Sequence, residues 1–199
     1  MTPATSGPPG AASATRRQEG TAYVGMVIFL ASWAMLFASL FFAYGLVRSH
    51  ASAWPPPDLP SLPLLLPGLN PLVAAGASLA LEGAGRAWPW SGPRGQASLL
   101  ALATGLGAAF LALQATVWAG LWQAGLRIDG GPYPSAFYAL TGLHAAHVLV
   151  GVAALGWLTL RVARGDLGPW PRTPLRLWTM YWHFVGAVWL LLYVTVYVA

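Results

Sequence analysis

Residues 136–160 read AFYALTGLHAAHVLVGVAALGWLTL, a run without one charged side chain. A hydrocarbon core about 30 Å thick is crossed by about 20 apolar residues rising about 1.5 Å each, so this stretch is long enough to span a bilayer as a helix. Four more apolar blocks of similar length lie around it, at 23–47, 62–81, 97–122 and 175–198, the last with Arg176 at its very start. Lipid offers nothing for a backbone N–H or C=O to bond with, so each block reads as a helix that satisfies its own backbone. The fold class is therefore all-α: a polytopic membrane protein whose five transmembrane helices pack into one bundle. Pro63, Pro67 and Pro71 crowd the start of the second block, which predicts a helix that begins near Pro71 or kinks there.

The rest of the chain agrees with that reading. Of 199 residues 57% are hydrophobic and only 8% charged, against roughly a quarter charged in soluble domains. A water-soluble monomer is excluded. Residues 1–20 are rich in Pro, Gly, Ala, Ser and Thr and hold no apolar run of signal-peptide length; they read as a disordered cytoplasmic tail ahead of a single membrane domain, 21–199. Segments 50–60, 83–96, 125–135 and 164–174 read as turns. All ten basic residues are arginine, and eight of them, Arg16, Arg17, Arg86, Arg94, Arg161, Arg164, Arg172 and Arg176, fall in the tail and in or immediately beside the second and fourth turns. Only Arg48 and Arg127 fall opposite, which places the N-terminus in the cytoplasm; the Gly-, Ala-, Pro- and Arg-rich, lysine-free composition suggests a GC-rich bacterial gene and hence a bacterial plasma membrane. In such a protein a net charge of +5 sets topology and does not indicate nucleic acid as a partner. Many tryptophans and tyrosines, among them Trp54, Trp88, Trp90, Trp122, Tyr133, Trp170 and Trp178, sit near span ends as an aromatic belt. Ala101, Gly105 and Ala109, four apart, predict a close helix approach on the third span.

With no cysteine in the chain, thiolate nucleophiles, disulfides and sulfur-bound metal centres are excluded. Histidine is the remaining strong nitrogen ligand. His144 and His147 stand three apart on the fourth span, on one helix face, and His183 lies on the fifth. Two readings stand side by side: ligands to haem or a metal, with His183 opposite His144 or His147, or imidazoles bonded to backbone and hydroxyl groups, with Thr141, Gln114 and Thr116 as polar companions. His50 reads as interfacial. Glu19, Asp58, Asp129 and Asp166 fall in the tail and turns and Glu82 at a span end, leaving no carboxylate near midplane. That weighs against a proton-coupled transporter, and the missing G-x-S-x-G elbow weighs against a serine hydrolase.

Residues 137–148, FYALTGLHAAHV, and 181–185, YWHFV, resemble subunit III of the haem-copper oxidases. So do Phe29-Leu30-Ala31-Ser32, Phe41-Phe42-Ala43-Tyr44, Trp54-Pro55-Pro56 and Leu69-Asn70. The five-span length is similar to the short subunit III of bacterial quinol oxidases and some cytochrome oxidases. The resemblance implies a non-catalytic subunit of a terminal respiratory oxidase, docked on subunit I in a complex with subunit II and holding phospholipid in a cleft between helix groups. It implies no cofactor on this chain, with haem and copper in a partner, and oxygen reduction to water coupled to proton translocation as the work of the complex. The similar subunit of nitric oxide reductases is the alternative, ahead of a haem-binding electron carrier or a small transporter.

Three positions depart from the family pattern. Trp33 stands where glutamate follows Ser32, Gly186 where aspartate follows Val185, and Val117 where the Gln114-Ala115 segment runs on to glutamate. A joint loss implies that the acids and the histidines form one polar cluster in the family, replaced here by apolar packing. His144, His147 and His183 are then expected to pair with no carboxylate.

Overall fold

The computed structural model describes residues 11–166 and 172–198, with the side chains of 11–15, 88–91 and 172 outside the description. Every regular element among them is helical. Five helices follow one another: α1 (Ala11–Ser49), α2 (Leu65–Ala87), α3 (Gly92–Gln123), α4 (Pro132–Arg164) and α5 (Arg172–Leu192), the last continued by a π-helical turn at Tyr193–Val198. All five are long and apolar enough to cross a membrane. The chain is a multi-pass membrane protein.

The helices run past the apolar blocks that reveal them. Hydropathy reports only the stretch inside hydrocarbon, while the hydrogen-bond ladder continues into the headgroups wherever residues allow it. Thus α1 begins at Ala11, so the second half of the expected disordered tail is helix. Its Ala-rich start favours the ladder; residues 1–10 lie outside the described residues. The expected turn at 83–96 is also helical, broken only at Gly92, whose φ of 62° and ψ of −162° separate α2 from α3. A residue with a Cβ resists that backbone. On the second helix the prolines neither delay the start to Pro71 nor move it back to residue 62: α2 starts at Leu65 with Pro67 in its first turn, where no N–H donor is needed. At the end of α4, Gly165 adopts a left-handed conformation and its N–H closes on the carbonyls of Arg161 and Val162.

The core lies where α5 wedges against α2, α3 and α4. One face of α3, Leu100, Ala103, Gly107, Phe110, Gln114, Val117 and Leu121, is buried at helical spacing. Ala101, Gly105 and Ala109 instead face outward and mediate no close approach. The close approach is at Gly107, where an added Cβ would stand 2.6 Å from Val152 Cγ2 and 2.7 Å from Trp182 Cη2. Trp182 fits between Gly107 and Gly151, and its indole donates to the Ala74 carbonyl at 3.3 Å. The neighbouring Tyr181 donates to the His147 carbonyl at 2.9 Å. Two consecutive side chains of α5 thereby tie it to two different helices. Helix α1 is peripheral: 6% of its most apolar stretch is buried, against 33% to 44% for the other four. The connection after it is pinned by Trp54, whose Nε1 donates to Tyr44 Oη at 3.1 Å and whose ring meets Tyr133 edge-on.

Candidate functional site

His144 and His147 lie side by side on the inward face of α4, 1% and 5% exposed. They are enclosed by aromatic rings from three other helices. Trp33 of α1 meets the His147 ring edge-on with centroids 3.9 Å apart, and Phe37, one turn on, contacts both imidazoles at 5.2 and 6.2 Å. Phe110 of α3 and Trp189 of α5 close the other side of His144 at 5.8 and 5.2 Å. The Nδ1–H of His147 donates to the Leu143 carbonyl at 2.7 Å, one turn back on its own helix, which leaves Nε2 as the bare nitrogen. Neither nitrogen of His144 has a hydrogen-bond partner among the described residues.

The three positions that depart from the family pattern differ in their surroundings. Trp33 stands directly on His147. Gly186 lines, with His144, Phe110 and Trp182, a void of about 10 Å³, and nothing stands within 4 Å of where its Cβ would be. That volume is about one water molecule's requirement. Val117 is buried in the apolar core. A carboxyl on residue 33 or 186 would thus reach toward an imidazole, and both sites are now apolar or empty.

The polar companions divide. Thr141, one turn before His144, donates to the Phe137 carbonyl at 2.8 Å and accepts from Trp118 Nε1 at 3.1 Å. Gln114 donates to Tyr197 Oη at 3.3 Å, and the Tyr197 ring lies tilted beside Trp189, centroids 6.2 Å apart. Thr116 bonds back to the Leu113 carbonyl on an exposed face. His50 turns back on the Leu46 carbonyl at 2.8 Å.

His183 stands apart from this cluster, and the expectation that it meets no carboxylate is overturned. Its Nε2 lies 3.3 Å from Glu82 Oε1, with both side chains nearly half exposed. The reason is the antiparallel packing, which sets the end of α2 beside the start of α5. Glu82 Oε2 in turn lies 3.5 Å from Arg86, one turn along α2. A haem or metal held between His183 and His144 or His147 has no support in this placement, and among the described residues no three His or acidic side chains group as metal ligands.

Trp189 escaped the sequence reading, which named Asn70 only within a family motif and Glu82 only as an acid at a span end. Trp189 could have been found: Trp182, Val185, Trp189, Leu192 and Val196 are buried at intervals of three and four along the last span. Asn70 is fully buried at the start of α2, with neither amide atom paired among the described residues, and no spacing rule marks it.

Two comparisons bear on this arrangement. The family described as Cytochrome c oxidase subunit III matches residues 11–199. A protein of Synechocystis sp. named "Cytochrome c oxidase subunit 3" is 33% identical over 87% of this chain and 73% of its own length. A Nocardia farcinica protein named "Probable cytochrome c oxidase subunit 3" is 33% identical over 87% of this chain and 86% of its own. The pig protein named "Cytochrome c oxidase subunit 3" is 30% identical over 90% of this chain and 70% of its own.

Proposed function

This chain belongs to the cytochrome c oxidase subunit III family, and we propose that within the complex it is a non-catalytic scaffold that stabilises subunit I and holds phospholipid against it. A haem-copper oxidase subunit III role, in complex with other oxidase subunits, follows from that membership. On this reading haem and copper reside in a partner subunit, and oxygen reduction and proton translocation are the work of the complex. The relatives' shared name favours an oxidase over a nitric oxide reductase as the host complex.

The observation that carries the scaffold reading is how the family motifs are spent. Tyr181 and Trp182 of the 181–185 motif donate to main-chain carbonyls of α4 and α2, and the histidines of 137–148 pack against rings. These contacts hold helices in register and present no group to a substrate. The arginine distribution supports an orientation with the ends of α2 and α4 and the start of α5 in the cytoplasm, and the bacterial relatives support a bacterial plasma membrane as its location.

The test is purification of the complex with and without this chain. We expect subunits I and II to co-purify with it, the separated chain to show no visible absorption, and the complex lacking it to keep its haem spectrum while denaturing at lower temperature. A coloured separated chain, or a complex of unchanged thermal stability, refutes the scaffold reading.

A further inference from the structure

We infer that Glu82, Arg86 and His183 form a clasp between α2 and α5 that tightens when His183 takes up a proton. The inference goes beyond the scaffold reading and does not depend on it. Polar contacts tie these two antiparallel helices at successive levels. Tyr193 Oη donates to the Leu64 carbonyl at 3.2 Å where α2 starts, and Trp182 Nε1 donates to the Ala74 carbonyl at 3.3 Å further along. Neither contact carries a charge. Beyond Ala74 the helices part around a cleft of about 470 Å³ lined by Leu81, Gly85, Leu175 and Met180. The contact that bridges it runs from His183 Nε2 to Glu82 Oε1 at 3.3 Å.

The bridge is built as a competition for one carboxylate. Glu82 Oε2 lies 3.5 Å from Arg86, one turn along the same helix. Arginine keeps its charge at every pH a folded protein meets, so this partner is constant. Because it stands on α2, it draws the carboxylate along its own helix and does nothing to hold α5. His183 is the partner that changes. Histidine is the side chain whose charge ordinarily changes between about pH 5 and 8, and an imidazolium adds the attraction of opposite charges to the contact already made. Protonation therefore pulls Glu82 from its intrahelical partner toward its interhelical one, and α5 closes on α2. The gain is present at acid pH and is lost as pH rises through that range.

The surroundings leave His183 as the group that responds. Arg176, two turns before it on α5, lies with its guanidinium over the Tyr23 ring of α1, 5.0 Å from the centroid, and Glu19 of α1 accepts from Thr173 at 3.3 Å. Helix α4 meets this part of α5 through the His147 carbonyl, which accepts from Tyr181 at 2.9 Å. Thr179, one turn before His183, spends its hydroxyl on the Leu175 carbonyl of its own helix at 2.8 Å. The charged groups lining the cleft with His183 are thus Glu82, Arg86 and Arg176. The two arginines oppose an imidazolium, but Glu82 is the group in direct contact with it, and that contact sets the sign. Both bridging side chains are nearly half exposed, 45% and 44%, so water screens the pair and protonation biases the closing equilibrium by about threefold.

The experiment is amide hydrogen exchange of the full chain in mild detergent at pH 5.5 and pH 8, read over residues 173–183. Parent and His183→Gln are compared at each pH, so the intrinsic pH dependence of exchange cancels. Glutamine can still bond to Glu82 but gains no charge. We expect these amides to exchange about threefold more slowly in the parent than in His183→Gln at pH 5.5, and equally at pH 8. Two further variants separate the clasp from general packing. With Glu82→Gln in both proteins the difference at pH 5.5 should vanish, and with Arg86→Gln in both it should widen, because the carboxylate loses its competing partner. A ratio that is the same at both pH values overturns the inference, as does a difference that survives Glu82→Gln or narrows in Arg86→Gln.

Discussion

A buried imidazole with no partner is the sharpest anomaly at the residue scale. Neutral histidine carries one donor and one acceptor, and leaving either unpaired in a protein interior costs about 1–3 kcal/mol. His144 leaves both unpaired among the described residues, while His147 satisfies one nitrogen with its own helix. Removing a polar group that bonds to nothing is nearly free, and an apolar replacement of similar size can stabilise. His144→Leu should therefore leave thermal unfolding of the purified protein within about 1 kcal/mol of the parent, or raise it. A loss clearly larger than that would reveal a bound partner at the imidazole. The histidine pair itself was legible in the sequence, because a spacing of three puts both rings on one helix face. What surrounds it was not: nothing in Trp33, Phe37, Phe110 and Trp189 taken singly tells which of the many aromatics meet there. Nor could spacing reveal that His183 pairs with Glu82, since that contact depends on how far two helices slide past each other.

At the scale of elements, packing is decided by glycines that admit a neighbour's ring. Association in lipid gains little from burying apolar surface and relies on close, complementary contact. Gly107 is such a place, with Val152 and Trp182 less than 3 Å from where its Cβ would be, whereas Gly105 has nothing within 4 Å. Gly107→Ala should destabilise the bundle by about 1–3 kcal/mol through forced displacement of Trp182. Gly105→Ala, two residues away, should be neutral or stabilise by up to about 1 kcal/mol, since alanine favours helix. Loss of helical circular dichroism on heating in detergent measures both, and equal effects would contradict the assigned face. Five spans could be read from hydropathy alone, yet their ends and inner faces could not. Helix ends extend beyond hydrocarbon, so composition underestimates them. Inner faces are obscured because a membrane helix is apolar all round: the small residues at 101, 105 and 109 satisfy the same spacing of four as 103 and 107, and only the second set touches protein.

Across the whole molecule, an odd number of spans separates the two ends of the chain and makes orientation a single yes-or-no property. The start of α1, the turn between α2 and α3 and the start of α5 share one end of the bundle, as the contacts of Glu19 with Thr173 and of Glu82 with His183 require. The connection 50–64 and the turn after α3 share the other. Arginine counts favour the first end as cytoplasmic. The chain contains no cysteine, so a single introduced thiol reports its own side without background. In intact cells a membrane-impermeant maleimide should label Ser61→Cys and spare Ser6→Cys until the membrane is permeabilised. The opposite pattern would invert the bundle and turn the arginine-rich end outward.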